Sequence, residues 1–378
     1  MLKVPSGARL LSEFIKNATT HKTAARWYCV ASSSSGSEGK SFLSYDKDPG
    51  PVFMREDVQK LLKSMTRLEL DRVFRKRSVR DNTVEYKFMT DDQVRREVMQ
   101  SIGRADRMLQ MPPVVDVMHE NLKVLSKDGA LKGFSEAKMV FTDITFGLKN
   151  SKRTIVERLP DGTLQEAAYE TRKRLNQIYF PLKGRYVRTP KMFEAGNLKK
   201  ILEAKEYEFV LDRACVQFEP YEKEYHNLTA TVYLHVNENK EFDSLRSTRH
   251  FGPMAFFLAW HRLVDDLLLD MIKRDYLRNG VELIALFASL HEGVQVKAEG
   301  FDQLKDFVLS SEAPMFTAED KSLEDLQQDE KYLAVIEKFV TDHCTKKVQL
   351  NLAIAAYKEM ALERQQLAEG IRKMHGGR

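Results

Sequence analysis

Asp265, Asp266 and Asp270 stand within six residues of one another, and carboxylates at such spacing on a helix can hold a divalent cation. A hard cation of this kind takes six or more oxygens, so a second acidic element would have to face the first. No second aspartate-rich segment is present. The three aspartates also alternate with Val264, Leu267, Leu268 and Met271, an apolar stripe whose back should be a solvated face. His343 beside Cys344 offers the atoms of a nucleophile pair, but sequence neighbours on a helix point about 100° apart and do not bond readily. His250, His261 and His291 are scattered. There is no phosphate-cradling glycine loop, dinucleotide fingerprint or nucleophile elbow, and no histidine pair at zinc spacing. The expectation is therefore a protein with no catalytic residues, no cofactor and no metal.

The cations are more informative. Arg72, Arg75, Lys76, Arg77 and Arg80 fall within nine residues, interleaved with Val73, Phe74 and Val79. Apolar residues in that pattern can anchor a segment while its cations reach phosphates. Lys183, Arg185 and Arg188 surround Tyr186 in a loop-like stretch, where guanidinium groups can bond phosphate oxygens and the ring can stack. Both segments are candidate RNA contacts. Their spacing equally fits a solvated basic surface or an acidic protein partner. Arg246 and Arg249 are a third pair, suited to phosphate, to a neighbour's carboxylate or to internal salt bridges.

The elements that must carry these groups are mostly helices. Val58, Leu61, Leu62 and Met65 share one helical stripe. Thr90 and Gln93 have the spacing of a capping box, which predicts a helix running from there until Met111-Pro112-Pro113. From Lys138 to Phe146, Val140, Thr142, Ile144 and Phe146 alternate as on a strand; Thr154 to Leu159 reads as another, followed by a turn at Pro160-Asp161-Gly162. A helix follows from about Ala168 to Tyr179. Beyond Thr189-Pro190, a helix-start signal, helices dominate, with Leu283, Leu286, Phe287 and Leu290 on one stripe and Leu350, Ala353, Ile354 and Tyr357 on another. The predicted fold is mainly α, a helical bundle or irregular solenoid, with a small α+β unit in the middle of the chain.

Charge divides the chain further. Residues 1–31 carry five basic groups and one acid among alanine, serine, threonine and leucine, the composition of a mitochondrial presequence. Residues 32–190 hold 30 basic and 22 acidic groups, and residues 191–378 hold 25 and 32. A basic half suits a polyanion, which would repel an acidic one. No apolar run approaches the length of a membrane span. With only Cys29, Cys215 and Cys344, no disulfide framework or zinc knuckle is available. The expected organisation is a presequence (1–31), a disordered linker (32–51), a basic helical region (52–110), an α+β region (111–190), a helical core (191–292), a long loop or exposed connection (293–330) and a C-terminal helical region (331–378).

Six blocks occur in an order that resembles the metazoan mitochondrial small-ribosomal-subunit protein twenty-two family: Lys87 to Thr90, Met111 to Val114, Val140 to Ile144, Ile178 to Pro181, Gln217 to Pro220 and Leu245 to Gly252. The resemblance covers roughly residues 52–290. It implies a non-enzymatic constituent of the small ribosomal subunit in the mitochondrial matrix, contacting small-subunit rRNA and neighbouring ribosomal proteins, with no membrane and no small-molecule substrate. A transient helical adaptor or assembly factor of that subunit, or a matrix enzyme, are the rival readings.

Overall fold

The computed structural model describes residues 43–75, 86–120, 122–291, 300–310 and 323–374. The presequence, the first part of the linker and Lys76, Arg77 and Arg80 lie outside the described residues. Four helices come first: α1 (Gly50–Phe53), α2 (Glu56–Thr66), α3 (Leu70–Val73) and α4 (Asp91–Met108). A sheet follows, of β1 (Val124–Lys127), β2 (Met139–Thr142), β3 (Ile155–Arg158) and β4 (Thr163–Glu166), and then α5 (Tyr169–Tyr179). The remainder is helical: α6 (Ala195–Glu203), α7 (Tyr207–Gln217), α8 (Lys223–Asn239), α9 (Phe251–Trp260), α10 (Asp265–Lys273), α11 (Leu277–Leu290), α12 (Phe301–Ser310), α13 (Leu323–His343) and α14 (Lys347–Met374). The fold is thus mainly α with a small four-stranded antiparallel sheet in mid-chain, as the periodicity predicted.

Helix α9 shows why the core sits where it does. Every residue from Phe251 to Ala259 is buried, and a helix apolar on all sides must be enclosed by others. Its Gly252 lets the preceding chain come close: a Cβ there would lie 2.1 Å from the Met111 sulfur. Pro253 sits in the first turn, where its missing amide hydrogen costs no helical bond. Beside α9, helix α11 packs on α2, α10, α12 and α13, so its residues 283–287 are buried in succession. Val58, Leu61, Leu62 and Met65 meet it as the buried stripe of α2.

The sheet has strand order β1-β4-β3-β2, every neighbour antiparallel. Gly162, at φ +85°, makes the β3–β4 turn, and a side chain there would strike the Asp128 carbonyl. Buried Glu222, just before α8, ties this unit to the helical body. It accepts a bond from the Tyr169 hydroxyl at 2.8 Å and pairs with the Lys173 ammonium, both groups on α5.

Several boundaries depart from the expectations. The strand read over Lys138–Phe146 ends at Thr142, because the Asp143 carboxylate accepts the Thr145 amide at 2.9 Å and turns the chain. Within the stretch read as a long loop, residues 293–330, α12 is a helix held to α2 and α11, with Phe301 and Val308 buried. The linker was expected to be disordered through residue 51, yet its end is ordered: Tyr45 meets Trp260 and Phe257 edge-on, and Trp260 donates its indole N–H to Asp46 at 2.8 Å. One aromatic residue thus outweighs the surrounding serines, glycines and prolines. After Pro190 the chain makes a short 3-10 turn, Lys191–Phe193, and α6 begins only at Ala195.

Candidate docking surfaces

The cations fall into two groups, according to whether an acid of the same chain already holds them. Arg246 belongs to the first group. Its side chain is 0% exposed, bonded to Asp270 at 2.6 Å and 3.7 Å from Asp243, with its guanidinium over the rings of Phe251 and Tyr276. Burial lowers its pKa, while Asp270 and Asp243 favour the charged form. A side chain enclosed in this way reaches neither a phosphate nor a partner protein, which corrects the expectation for Arg246. Arg249 bonds Asp212 at 3.0 Å, and that carboxylate also meets the buried His250 ring at 2.9 Å. This pair therefore holds the start of α9 to α7.

Arg72 joins the same internal network. It reaches the carboxylate and the carbonyl of Asp243, each at 3.1 Å, and Glu69 at 2.7 Å. The bond to Asp243 raises its pKa and holds it charged. Arg274 completes the set on Asp270 and Asp243. Arg185 is engaged too, donating to Glu219 at 2.7 Å and to the Val216 carbonyl at 3.1 Å. Arg72 and Arg185 thus lock the α3 and 182–188 segments onto the helical body.

Lys183, Arg188 and Arg75 form the second group. All three are exposed, and no acid within bonding distance holds them among the described residues. Tyr186 stands exposed between Lys183 and Arg188, with the Arg213 guanidinium 4.9 Å from its ring centroid.

Sequence reasoning read α4 for its cap and missed its outer face. The capping box is present, the Thr90 amide donating to the Gln93 side chain at 3.0 Å, and only Ala105 of the helix is buried. Gln100, Gly103, Arg104 and Arg107 line a shallow concavity, and Arg96 lies one turn before it. Arg96 bonds the Asp92 carbonyl at 3.2 Å and Arg104 the Ser101 hydroxyl at 2.9 Å, so neither charge is neutralised by these contacts. Asp106 is drawn aside to Lys63 at 2.5 Å. Arg104 also lies 5.7 Å over the Phe74 ring, which sets this face beside the start of the 72–80 basic segment. Arg96, Gln100, Gly103 and Arg107 repeat every three or four residues, the signal that would have found them.

The aspartates that suggested a metal are internal as well. Asp265 is buried and accepts the Thr345 and Lys346 amides at 2.8 and 2.9 Å, capping the approach to α14. Asp266, also buried, pairs with Lys346 at 2.5 Å, and Asp270 holds Arg246. They join helices and are not the solvated face that their alternation suggested. Glu282, enclosed between α2 and α11, accepts from Ser64 at 2.5 Å and Asn279 at 2.7 Å; burial raises its pKa against these bonds.

These arrangements define a helical docking protein, with one set of ionisable groups fastening its helices together and another displayed outward as cations. The profile of the family described as "Mitochondrial 28S ribosomal protein S22" matches residues 51–292. The chain is 37% identical over 264 residues to the small ribosomal subunit protein mS22 of Bos taurus, covering 68% of this chain and 74% of that protein. It is 36% identical to mS22 of Mus musculus over the same length and shares. The chain belongs to the mitochondrial ribosomal protein S22 family and is a non-enzymatic, structural constituent of the small subunit of the mitochondrial ribosome.

Proposed function

We propose that the chain anchors on small-subunit rRNA through the outer face of α4 (Arg96, Arg104, Arg107), the segment that starts at Arg75, and Lys183 with Arg188. The helical body, α6 to α14, faces neighbouring ribosomal proteins. The observation that carries this reading is the sorting of the cations. Lys240, Arg246, Arg249 and Arg274 of the body close on Asp266, Asp270, Asp212 and Asp243, whereas Arg96, Arg104 and Arg107 of α4, and Lys183 and Arg188, have no such acid among the described residues. An unneutralised arginine gains most from a phosphate, because contact releases counterions from the RNA and supplies a charge-assisted bond. Lys76, Arg77 and Arg80 extend the same basic segment in sequence. Residues 1–31, by their composition, would carry the import signal.

Charge reversal at Arg75, Arg96 and Arg107 tests the anchor. The variant should fold with an unchanged melting temperature, and its share in the small-subunit peak of a sucrose gradient should fall several-fold. Full incorporation of the folded variant would remove the rRNA-anchor assignment.

A further inference from the structure

Strand β2 is an edge of the sheet that no other described strand covers. It pairs with β3 alone, and its ladder continues into the Asp143 amide, which donates to the Thr154 carbonyl at 3.0 Å. Antiparallel alternation then directs the backbone groups of Met139 and Phe141 toward β3 and those of Val140 and Thr142 away from it. The outward pair forms a ready template for another extended chain. Exposed edges are ordinarily blunted by proline, a bulge or a free charge. β2 contains no proline, its register with β3 is unbroken, and Lys138 at its start is drawn to Glu157 at 2.5 Å.

The surroundings of this edge are apolar. Phe141 of β2 is half exposed, and Ile144 and Phe146 on the loop beyond are 74% and 96% exposed. The loop is held in shape from within. Buried Arg153 donates to the carbonyls of Asp143, Thr145 and Leu148 at 2.7–3.0 Å and stacks 3.4 Å over Phe180. The chain therefore builds a firm support under side chains that touch almost nothing of their own. Lys132, Lys149 and Lys152 are exposed nearby in sequence; Asp143 is bonded to Thr145, leaving Glu136 as the exposed acid of residues 129–152.

We infer that β2 is a strand-addition site in the assembled small subunit: an extended apolar segment of a neighbouring ribosomal protein, with acidic residues flanking it, adds to this edge. The segment's backbone pairs with Val140 and Thr142, and its apolar side chains cover Phe141, Ile144 and Phe146. The lysines select the acidic flanks. RNA offers no continuous ladder of amides and carbonyls to such an edge.

The test is hydrogen exchange at single amides, comparing the purified small subunit with the free chain. The Val140 and Thr142 amides should exchange at least about 100-fold more slowly in the subunit, and this protection should survive ribonuclease treatment that strips exposed rRNA. Equal rates in the two states, or protection that disappears with the RNA, would overturn the inference. Val140→Pro removes one outward donor without touching the β2–β3 ladder and should reduce recovery in the subunit. If it fails to fold, Phe146→Asp, outside the ladder, serves instead; normal incorporation of a folded variant of either kind counts against the site.

Discussion

The helical body and the N-terminal half use the same residue types in opposite ways. In the body, cations close on aspartates of the same chain: the enclosed Arg246 on Asp270, and the partly exposed Arg249 on Asp212 and Lys346 on Asp266. On α4, and at Lys183 and Arg188, the cations stand in water and no carboxylate among the described residues closes on them. Among the apolar groups, α9 is enclosed on all sides, Ile144 and Phe146 project from their loop, and Val348 and Leu352 of α14 are exposed as well. Basic residues in this family member therefore cannot be assigned to RNA by sequence clustering alone. Arg72 and Arg75 are neighbours in one cluster, yet Arg72 fastens α3 to the body and Arg75 faces outward.

The sharpest way to break this contrast is within the body. Asp270→Ala takes from the buried Arg246 guanidinium its bonded carboxylate and leaves only Asp243, 3.7 Å away; breaking a buried pair in this way costs about 3–5 kcal/mol. Denaturant unfolding should show a fall of that order, and a change under about 1 kcal/mol would mean that the network carries little of the fold. On the outer face the expected effect is on binding. Arg96→Glu with Arg107→Glu should leave the unfolding midpoint unchanged and weaken binding to a small-subunit rRNA fragment by tenfold or more. The salt dependence should become shallower by about one unit of slope for each phosphate no longer bound. A lowered midpoint with unchanged affinity would move these arginines into the structural group.

Glu282 gives a pH test of the body. Its folded pKa lies above the ordinary 4.5, so the fold favours the neutral acid. That contribution is fully present below pH 4.5 and is lost as pH rises through the folded value. Glu282→Gln should therefore equal or exceed the parent in stability at pH 7, with the gap closing as pH falls to 4.5. A variant less stable than the parent at neutral pH would show that the bonds from Ser64, Asn279 and Arg278, the last at 3.2 Å, outweigh burial. Lys183→Ala should have the smallest effect: a two- to threefold loss of rRNA affinity and no change in melting temperature.

Much of the fold was legible because it depends on local spacing. The stripe Val58, Leu61, Leu62 and Met65, the Thr90–Gln93 box and the stop at Met111-Pro112-Pro113 all act within a few residues, and each stands as read. The β1 and β4 strands were missed because Val-Leu-Ser-Lys and Thr-Leu-Gln-Glu are too short and polar to announce a sheet; their partners define them. The roles of the charged groups were the least legible. Asp265 is buried because Thr345 and Lys346, about eighty positions later, return to it, and Arg246 is buried because α10 supplies Asp270. No local pattern distinguishes such residues from solvated ones. The outer face of α4 was within reach of periodicity, since Arg96, Gln100, Gly103 and Arg107 follow the helical repeat.

Ultraviolet cross-linking of intact small subunits, with the attached peptides of this chain mapped by mass spectrometry, tests the sorting of cations most directly. The account predicts rRNA cross-links in peptides that span residues 75–107 and 183–188, and none in α9 to α11. Cross-links concentrated in those buried-network helices, with the α4 and 183–188 peptides free of RNA, would contradict it.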